Sequence, residues 1–304
     1  MIKDYQLSDD SISLRRYHWP TESAKMCMII VHGMAEHASR YDAFASIMNK
    51  KGVAVLSIDL RGHGESLLDN RLGWFGPGGW KRVVKDISAL IAYAKEHYPS
   101  LPLVLFGHSM GSIFTQATLM ETPNQIDAAV LTGVAADKPG RRSLAPAIAS
   151  IVCFFNGDKP SPLMNGLTFS SYNKAFLPAR TEFDWLSAVP ENVDAYVKDP
   201  LCGFVCTASL YREVAALVFF ITRLKNIRKI PETLPVLALS GSMDPVGNEG
   251  RTLEELSSLW KTAGKDFRAQ LIQGGRHELL NDVTASITIK KITDFISEII
   301  GAPL

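Results

Sequence analysis

The chain has 304 residues, 46% of them hydrophobic and 21% charged, which is ordinary globular composition with enough apolar residues for a large core. Its formal net charge of +1, without a long lysine or arginine run, leaves no electrostatic footprint for nucleic acid. The four cysteines, Cys27, Cys153, Cys202 and Cys206, are too few for a disulfide framework, and no second Cys or His pair lies near Cys202 and Cys206 at zinc-ligand spacing.

The N-terminus, "MIKDYQLSDDSI", is polar and acidic and lacks an apolar signal core, so a cytoplasmic protein is expected. "SISLRRYHW" (11–19) then reads as a strand, antiparallel at a sheet edge. "KMCMIIVHG" (25–33), "VAVLSIDL" (53–60), "LVLFG" (103–107), "AAVLTG" (128–133), "PVLALSG" (235–241) and "RAQLIQG" (268–274) read as further strands. Several are apolar throughout, as parallel strands covered on both faces are. Between them lie "YDAFASIMNKKG", "GWKRVVKDISALIAYAKEHYP", "MGSIFTQATLMETP" and, last, "VTASITIKKITDFISEII", all with helical patterning. "WFGPGGW" (74–80) reads as an entrance loop before the second of these helices.

Strand alternating with helix argues for a doubly wound α/β sheet. One interval breaks the rhythm. From about residue 137 to about residue 230 there is no clear buried strand, but prolines, aromatics and short helical pieces abound. That is too long for a loop within a sheet, so it reads as an inserted helical subdomain. The expected division is a core of residues 1–136 and 231–304 around an insertion of residues 137–230. The longest apolar runs, "LAPAIASIVCFF" and "VAALVFFI", reach only about half of the ~20 residues that a spanning helix needs.

"GHSMG" (107–111) stands between a strand and a helix. A strand that turns into a helix this abruptly strains the central residue and crowds the positions two before and two after it, where glycine removes the clash. Ser109 would then project from the carboxyl edge of the sheet, facing the positive end of the following helix. A serine nucleophile needs a base, and the base needs an orienting acid. Seven histidines compete. His108 leaves the turn in another direction, His97 ends a helix facing solvent, and His32 and His63 sit in glycine-bracketed turns suited to structural hydrogen bonds. His277, in "QGGRHELLND", follows the last strand at the same sheet edge as Ser109. Asp244, in "GSMDPVG", follows the strand before it; Asp137 is the second choice for the acid, and Asp59 is assigned to holding its own turn. The order Ser109, Asp244, His277 is the one expected of a hydrolase triad on such a sheet. Backbone N–H groups of Met34 and Met110 are the candidate oxyanion donors.

"HGMAEHASRY", "DLRGHGES", "GHSMG", "GSMDPVG" and "RHELLND", in this order, resemble the monoacylglycerol lipase and lysophospholipase branch of the α/β-hydrolases, often named serine aminopeptidase-like. The resemblance covers nearly the whole chain outside the insertion. It implies an α/β-hydrolase fold with a mostly parallel eight-stranded sheet and a helical cap after strand six. It also maps the triad onto Ser109, Asp244 and His277 and the oxyanion donors onto Met34 and Met110. Two positions depart from the family pattern: Ala35 stands where many relatives carry glycine, and Asp282 replaces a more common glutamate.

A serine nucleophile argues against the dehalogenases and epoxide hydrolases of this fold, which attack with aspartate. No glycine-rich nucleotide-binding pattern is present, and the triad needs neither cofactor nor metal. The expected activity is hydrolysis of carboxylic esters, monoacylglycerols or lysophospholipids above all, through an acyl-enzyme. The alternatives are an aminopeptidase of the same fold, a general carboxylesterase, or a non-enzymatic scaffold. An aminopeptidase would need carboxylates from the insertion (Asp158, Glu182, Asp184, Glu191, Asp194 or Asp199) to hold a substrate ammonium. Ile148 and Val152, in the apolar run 143–155, are the candidate acyl-chain contacts, and the same run suggests transient contact with a lipid surface.

Overall fold

The structure, a computed structural model, describes residues 1–135 and 157–304. Asp137, Ile148, Val152 and Cys153 lie outside the described residues, so the expectations placed on them carry no structural account.

The sheet has eight strands: β1 (Ile2–Leu7), β2 (Ser13–Trp19), β3 (Met26–Val31), β4 (Val53–Ile58), β5 (Leu103–His108), β6 (Ala128–Thr132), β7 (Val236–Gly241) and β8 (Phe267–Ile272). Their order is β1-β2-β4-β3-β5-β6-β7-β8. The β1–β2 and β2–β4 pairs are antiparallel and every other pair is parallel. The strand expected at the edge is therefore one place inside it. Outside it lies β1, "IKDYQL", in which only Gln6 is buried, its side-chain amide donating to the Asp86 carbonyl at 2.8 Å. An edge strand covered on so little of its surface has no need of apolar alternation.

Strands β3 to β7 are buried along their whole length, which is why they are apolar throughout. Alternate residues divide between two cores. Cys27, Ile29 and Val31 join one cluster, and Met26, Met28 and Ile30 join the other. The first core is covered by α2 (Trp80–His97), α3 (Met110–Glu121) and α8 (Arg251–Thr262); the second by α1 (Asp42–Lys50) and α9 (Ala285–Ile300).

Between β6 and β7 the described residues form α4 (Pro162–Phe169), α5 (Pro190–Lys198), α6 (Ala208–Ile221) and α7 (Leu224–Ile227), without a strand. Trp185, Leu186, Tyr196 and Cys202 make a small core of their own. Helix α6, which contains "VAALVFFI", instead buries Leu210, Leu217 and Ile221 in the first main core. Residues 74–80 lead into α2 as expected, but they turn toward α6: Glu213 accepts from the Trp80 amide at 3.1 Å, and the Trp80 and Phe220 rings lie 5.0 Å apart.

Candidate active site

The parallel strands all end at one edge of the sheet, and their loops bring the candidate residues together. Strand β5 runs directly into α3, and Ser109 at the junction takes φ 52° and ψ −120°. The flanking glycines are required by space. A Cβ on Gly107 would lie 2.5 Å from the Gly111 carbonyl oxygen and 2.4 Å from Thr115 Oγ1. One on Gly111 would lie 2.0 Å from the Val31 carbonyl oxygen, so that glycine also lets the turn press against β3.

His277 Nε2 is 2.8 Å from Ser109 Oγ, and His277 Nδ1 is 3.0 Å from each carboxylate oxygen of Asp244. Asp244 is fully buried, and one of its oxygens also accepts from the Val246 amide at 2.9 Å. With the ring proton on Nδ1, held by the carboxylate, Nε2 is free to accept the serine proton. Burial opposes charge on His277, but the Asp244 carboxylate outweighs it, and the imidazole is raised above its ordinary 6.5. His108, with its ring centroid 4.8 Å from that of His277, is pushed down to about 4 by burial and then by His277. The two imidazoles are thus driven apart: one is built to take a proton, the other to stay neutral.

Among the described residues, the backbone amides of Met34 and Met110 donate to no protein acceptor, and both residues line the cavity that holds Ser109 and His277. Met110 opens α3, where amides lack partners within the helix. The loop carrying Met34 is clamped on both sides. Glu36 accepts from the Gly33 amide at 2.5 Å and from the Tyr41 hydroxyl at 2.9 Å. Arg40 donates to Glu36 at 2.6 Å and, in a fork, to both oxygens of Glu278 at 2.6 and 2.8 Å. Since Glu278 directly follows His277, one partly buried guanidinium ties the loop after β3 to the loop that carries His277. These three residues escape a search for nucleophile and base, although they lie within "HGMAEHASRY" and "RHELLND" and Glu36 and Arg40 stand at i,i+4 spacing.

The remaining candidates have structural partners. Asp59 is fully buried and accepts from the Ala38 amide (2.9 Å), the Glu65 amide (2.8 Å) and the Tyr17 hydroxyl (3.0 Å), so it holds two loops rather than its own turn alone. His32 uses both nitrogens on backbone groups, Gly33 O at 2.8 Å and the Leu60 amide at 2.9 Å. His63 lies 3.0 Å from the Arg61 carbonyl, and His97 is exposed on α2, 3.0 Å from the Tyr93 carbonyl. Asp282 accepts from the Ala188 and Arg276 amides, each at 2.7 Å, and so fastens the base loop to the segment ahead of α5. Above the base, the Trp185 ring lies 5.1 Å from the His277 ring.

The cavity has a volume of about 610 Å³. Ile113, Phe169, Leu186, Val214 and Val246 give it apolar walls, and Asn165 and Asn173 bring polar groups from the region between β6 and β7.

A family model described as serine aminopeptidase, S33, matches residues 22–284 of this chain. The chain belongs to the serine aminopeptidase S33 family. Among its relatives, a monoacylglycerol lipase of Mycolicibacterium smegmatis is 25% identical over 288 residues, covering 91% of this chain and 90% of that one. A monoglyceride lipase of Mus musculus is 27% identical over 305 residues, covering 94% and 87%. Among solved structures, a thermostable carboxyl esterase of Bacillus coagulans in complex with glycerol superposes with a TM-score of 0.90 at 24% identity, covering 98% of each chain. This S33 chain is thus an α/β-hydrolase, with the sheet expected from its motifs.

Proposed function

We propose that the protein hydrolyses carboxylic esters of lipids, monoacylglycerols or lysophospholipids, through Ser109, His277 and Asp244. The observation that carries this reading is the continuous contact from Asp244 to Ser109 Oγ through His277, at the floor of an apolar-walled cavity. His277 Nε2 takes the serine proton as Oγ attacks the ester carbonyl. The oxyanion is received by the amides of Met34 and Met110. His277 then returns the proton to the departing alcohol, leaving an acyl-serine. Water, deprotonated by the same imidazole, attacks that acyl group, and collapse of the second tetrahedral intermediate releases the fatty acid. The names of the mycobacterial and mouse relatives favour a monoacylglycerol.

The residues between β6 and β7 serve in this reading as a cap over the acyl chain. Leu163 and Leu167 on α4, Leu177 and Phe219 are exposed on it and suit brief contact with a lipid surface. Among the described residues no helix is long and apolar enough to cross a membrane. The aminopeptidase alternative has less support. Of the six carboxylates weighed for an ammonium site, only Glu182 lines the cavity, while Asp184 and Asp194 are engaged by Arg180 and Asp158 by Arg71.

Labelling with a fluorophosphonate, followed by rates on an acyl-chain series, tests the reading. The label is expected on Ser109 and absent in Ser109→Ala. Each added methylene that reaches the apolar wall is worth roughly 0.8 kcal/mol, about fourfold in kcat/KM. A series that peaks at acetate, or faster turnover of aminoacyl amides, overturns the lipid assignment and leaves the nucleophile standing.

A further inference from the structure

We infer that His37, Asp199 and Cys202 form a binding site for a thiophilic divalent cation, for which Zn2+ is the best-fitting ion. In sequence these residues look unrelated, since His37 and Asp199 stand 162 positions apart. In the fold, a ring nitrogen of His37, an Asp199 oxygen and Cys202 Sγ lie within 4.8 Å of one another. Imidazole, carboxylate and thiolate are three ligand types that zinc takes, and tetrahedral zinc holds such donors about 3.3–3.8 Å apart. The His37–Asp199 pair, now at 2.8 Å, has to open by about 0.5–1 Å, and a pair at the 4.8 Å limit has to close by about 1 Å.

The far side of two ligands is already anchored. His37 Nδ1 lies 2.9 Å from Ser39 Oγ, and the second oxygen of Asp199 accepts from the Leu201 amide at 2.9 Å. The Cys202 amide donates to the Asp199 carbonyl at 3.0 Å, which fixes the short turn between those ligands. Supports of this kind, which orient a ligand from its far side, accompany metal-binding histidines and carboxylates. His37 and Cys202 are buried, while the Asp199 side chain is 32% exposed and provides the way in. His37 Nε2 and Asp199 are now joined at 2.8 Å, so the ion takes the place of a shared proton.

Proton bookkeeping follows. In a neutral His37 the ring proton moves from Nε2 to Nδ1, where Ser39 Oγ accepts it, and the Cys202 thiol gives up its proton to solvent. Burial holds that thiol above its ordinary range, and the Arg40 guanidinium pulls the other way. Binding by this route releases one proton per ion, from the thiol. The bound ion would pin the segment after α5 to the loop that carries Met34. That junction already holds the Ala35 carbonyl through the Tyr196 hydroxyl and the Gly203 amide, each at 2.9 Å.

Cobalt(II), titrated into the full chain and followed by absorption, reads out the site without reference to activity. The wild type is expected to develop a thiolate-to-cobalt charge-transfer band that Zn2+ displaces stoichiometrically. Cys206→Ser is expected to keep the band, and Cys202→Ser to lose it. Asp199→Asn, which keeps the thiol, is expected to keep the band with affinity weakened at least tenfold. No band in the wild type at millimolar cobalt overturns the inference. So does a band that survives Cys202→Ser, or an unchanged affinity in Asp199→Asn should the cysteine variant fail to fold.

Discussion

Ala35 has φ 52°, in the left-handed region where a side chain is strained by about 1–2 kcal/mol and glycine is not. Ala35→Gly removes the strain, but it also frees the unfolded chain by about 0.4–1 kcal/mol and deletes a buried methyl. The balance is expected to fall within about 1 kcal/mol of no change. Ala89→Gly, on the exposed face of α2, is expected to lose about 1 kcal/mol. Urea unfolding of the two variants checks the contrast. In the proposed mechanism activity requires neutral His277, and its imidazole is raised above 6.5. The acid limb of kcat/KM is therefore expected to rise with pH around a midpoint above 6.5. Asp244→Asn removes the charge that raises it and leaves burial unopposed, so the limb should move to lower pH while kcat falls about 10⁴-fold. A pH–rate profile of both forms decides. Ser109→Ala and His277→Ala are each expected to lower kcat by about 10⁴–10⁶, and the double variant hardly further, because the pair acts as one unit.

At the scale of elements, the loop after β3 and the loop after β8 are held in register by Arg40. Burial opposes the Glu36 charge, yet Arg40 draws the carboxyl down from 4.5 to about 2. A carboxylate so depressed contributes its stability in full above 4.5 and loses it as pH falls toward 2. Arg40→Met strands Glu36 and Glu278 without a partner and is expected to cost about 3–5 kcal/mol. Adding Glu36→Gln and Glu278→Gln should restore much of that loss, as chemical denaturation at several pH values would reveal. The sheet edge that carries this clamp was legible because β3, β5, β7 and β8 each end in a glycine-marked turn holding one candidate residue. Strand β1 was hidden because its exposed faces need no apolar period. Helix α8 goes unassigned in the sequence reading even though Leu253, Leu256 and Trp260 recur at helical spacing. The Arg40–Glu278 pair spans 238 positions, a distance over which local patterning is silent.

Across the whole molecule, the helices between β6 and β7 divide by how much of themselves they bury. Helix α6 packs into the main cluster under the sheet, whereas α4 buries only Met164 and leaves Leu163 and Leu167 exposed. Backbone amides of α4 are expected to exchange with deuterium at least tenfold faster than those of α6, as mass spectrometry of peptides would record. Equal protection would mean that α4 opens only with the main core. The 168 positions between Ser109 and His277 bear also on how the enzyme comes into being. During synthesis β3, β5 and β6 emerge with the serine long before the strands that deliver the acid and the base. On the proposed mechanism, the half-made chain carries a nucleophile that nothing can deprotonate, and hydrolysis begins only when the C-terminal strands dock. On refolding from denaturant, catalysis should therefore return later than helical signal, which makes turnover itself a clock for the last step of assembly.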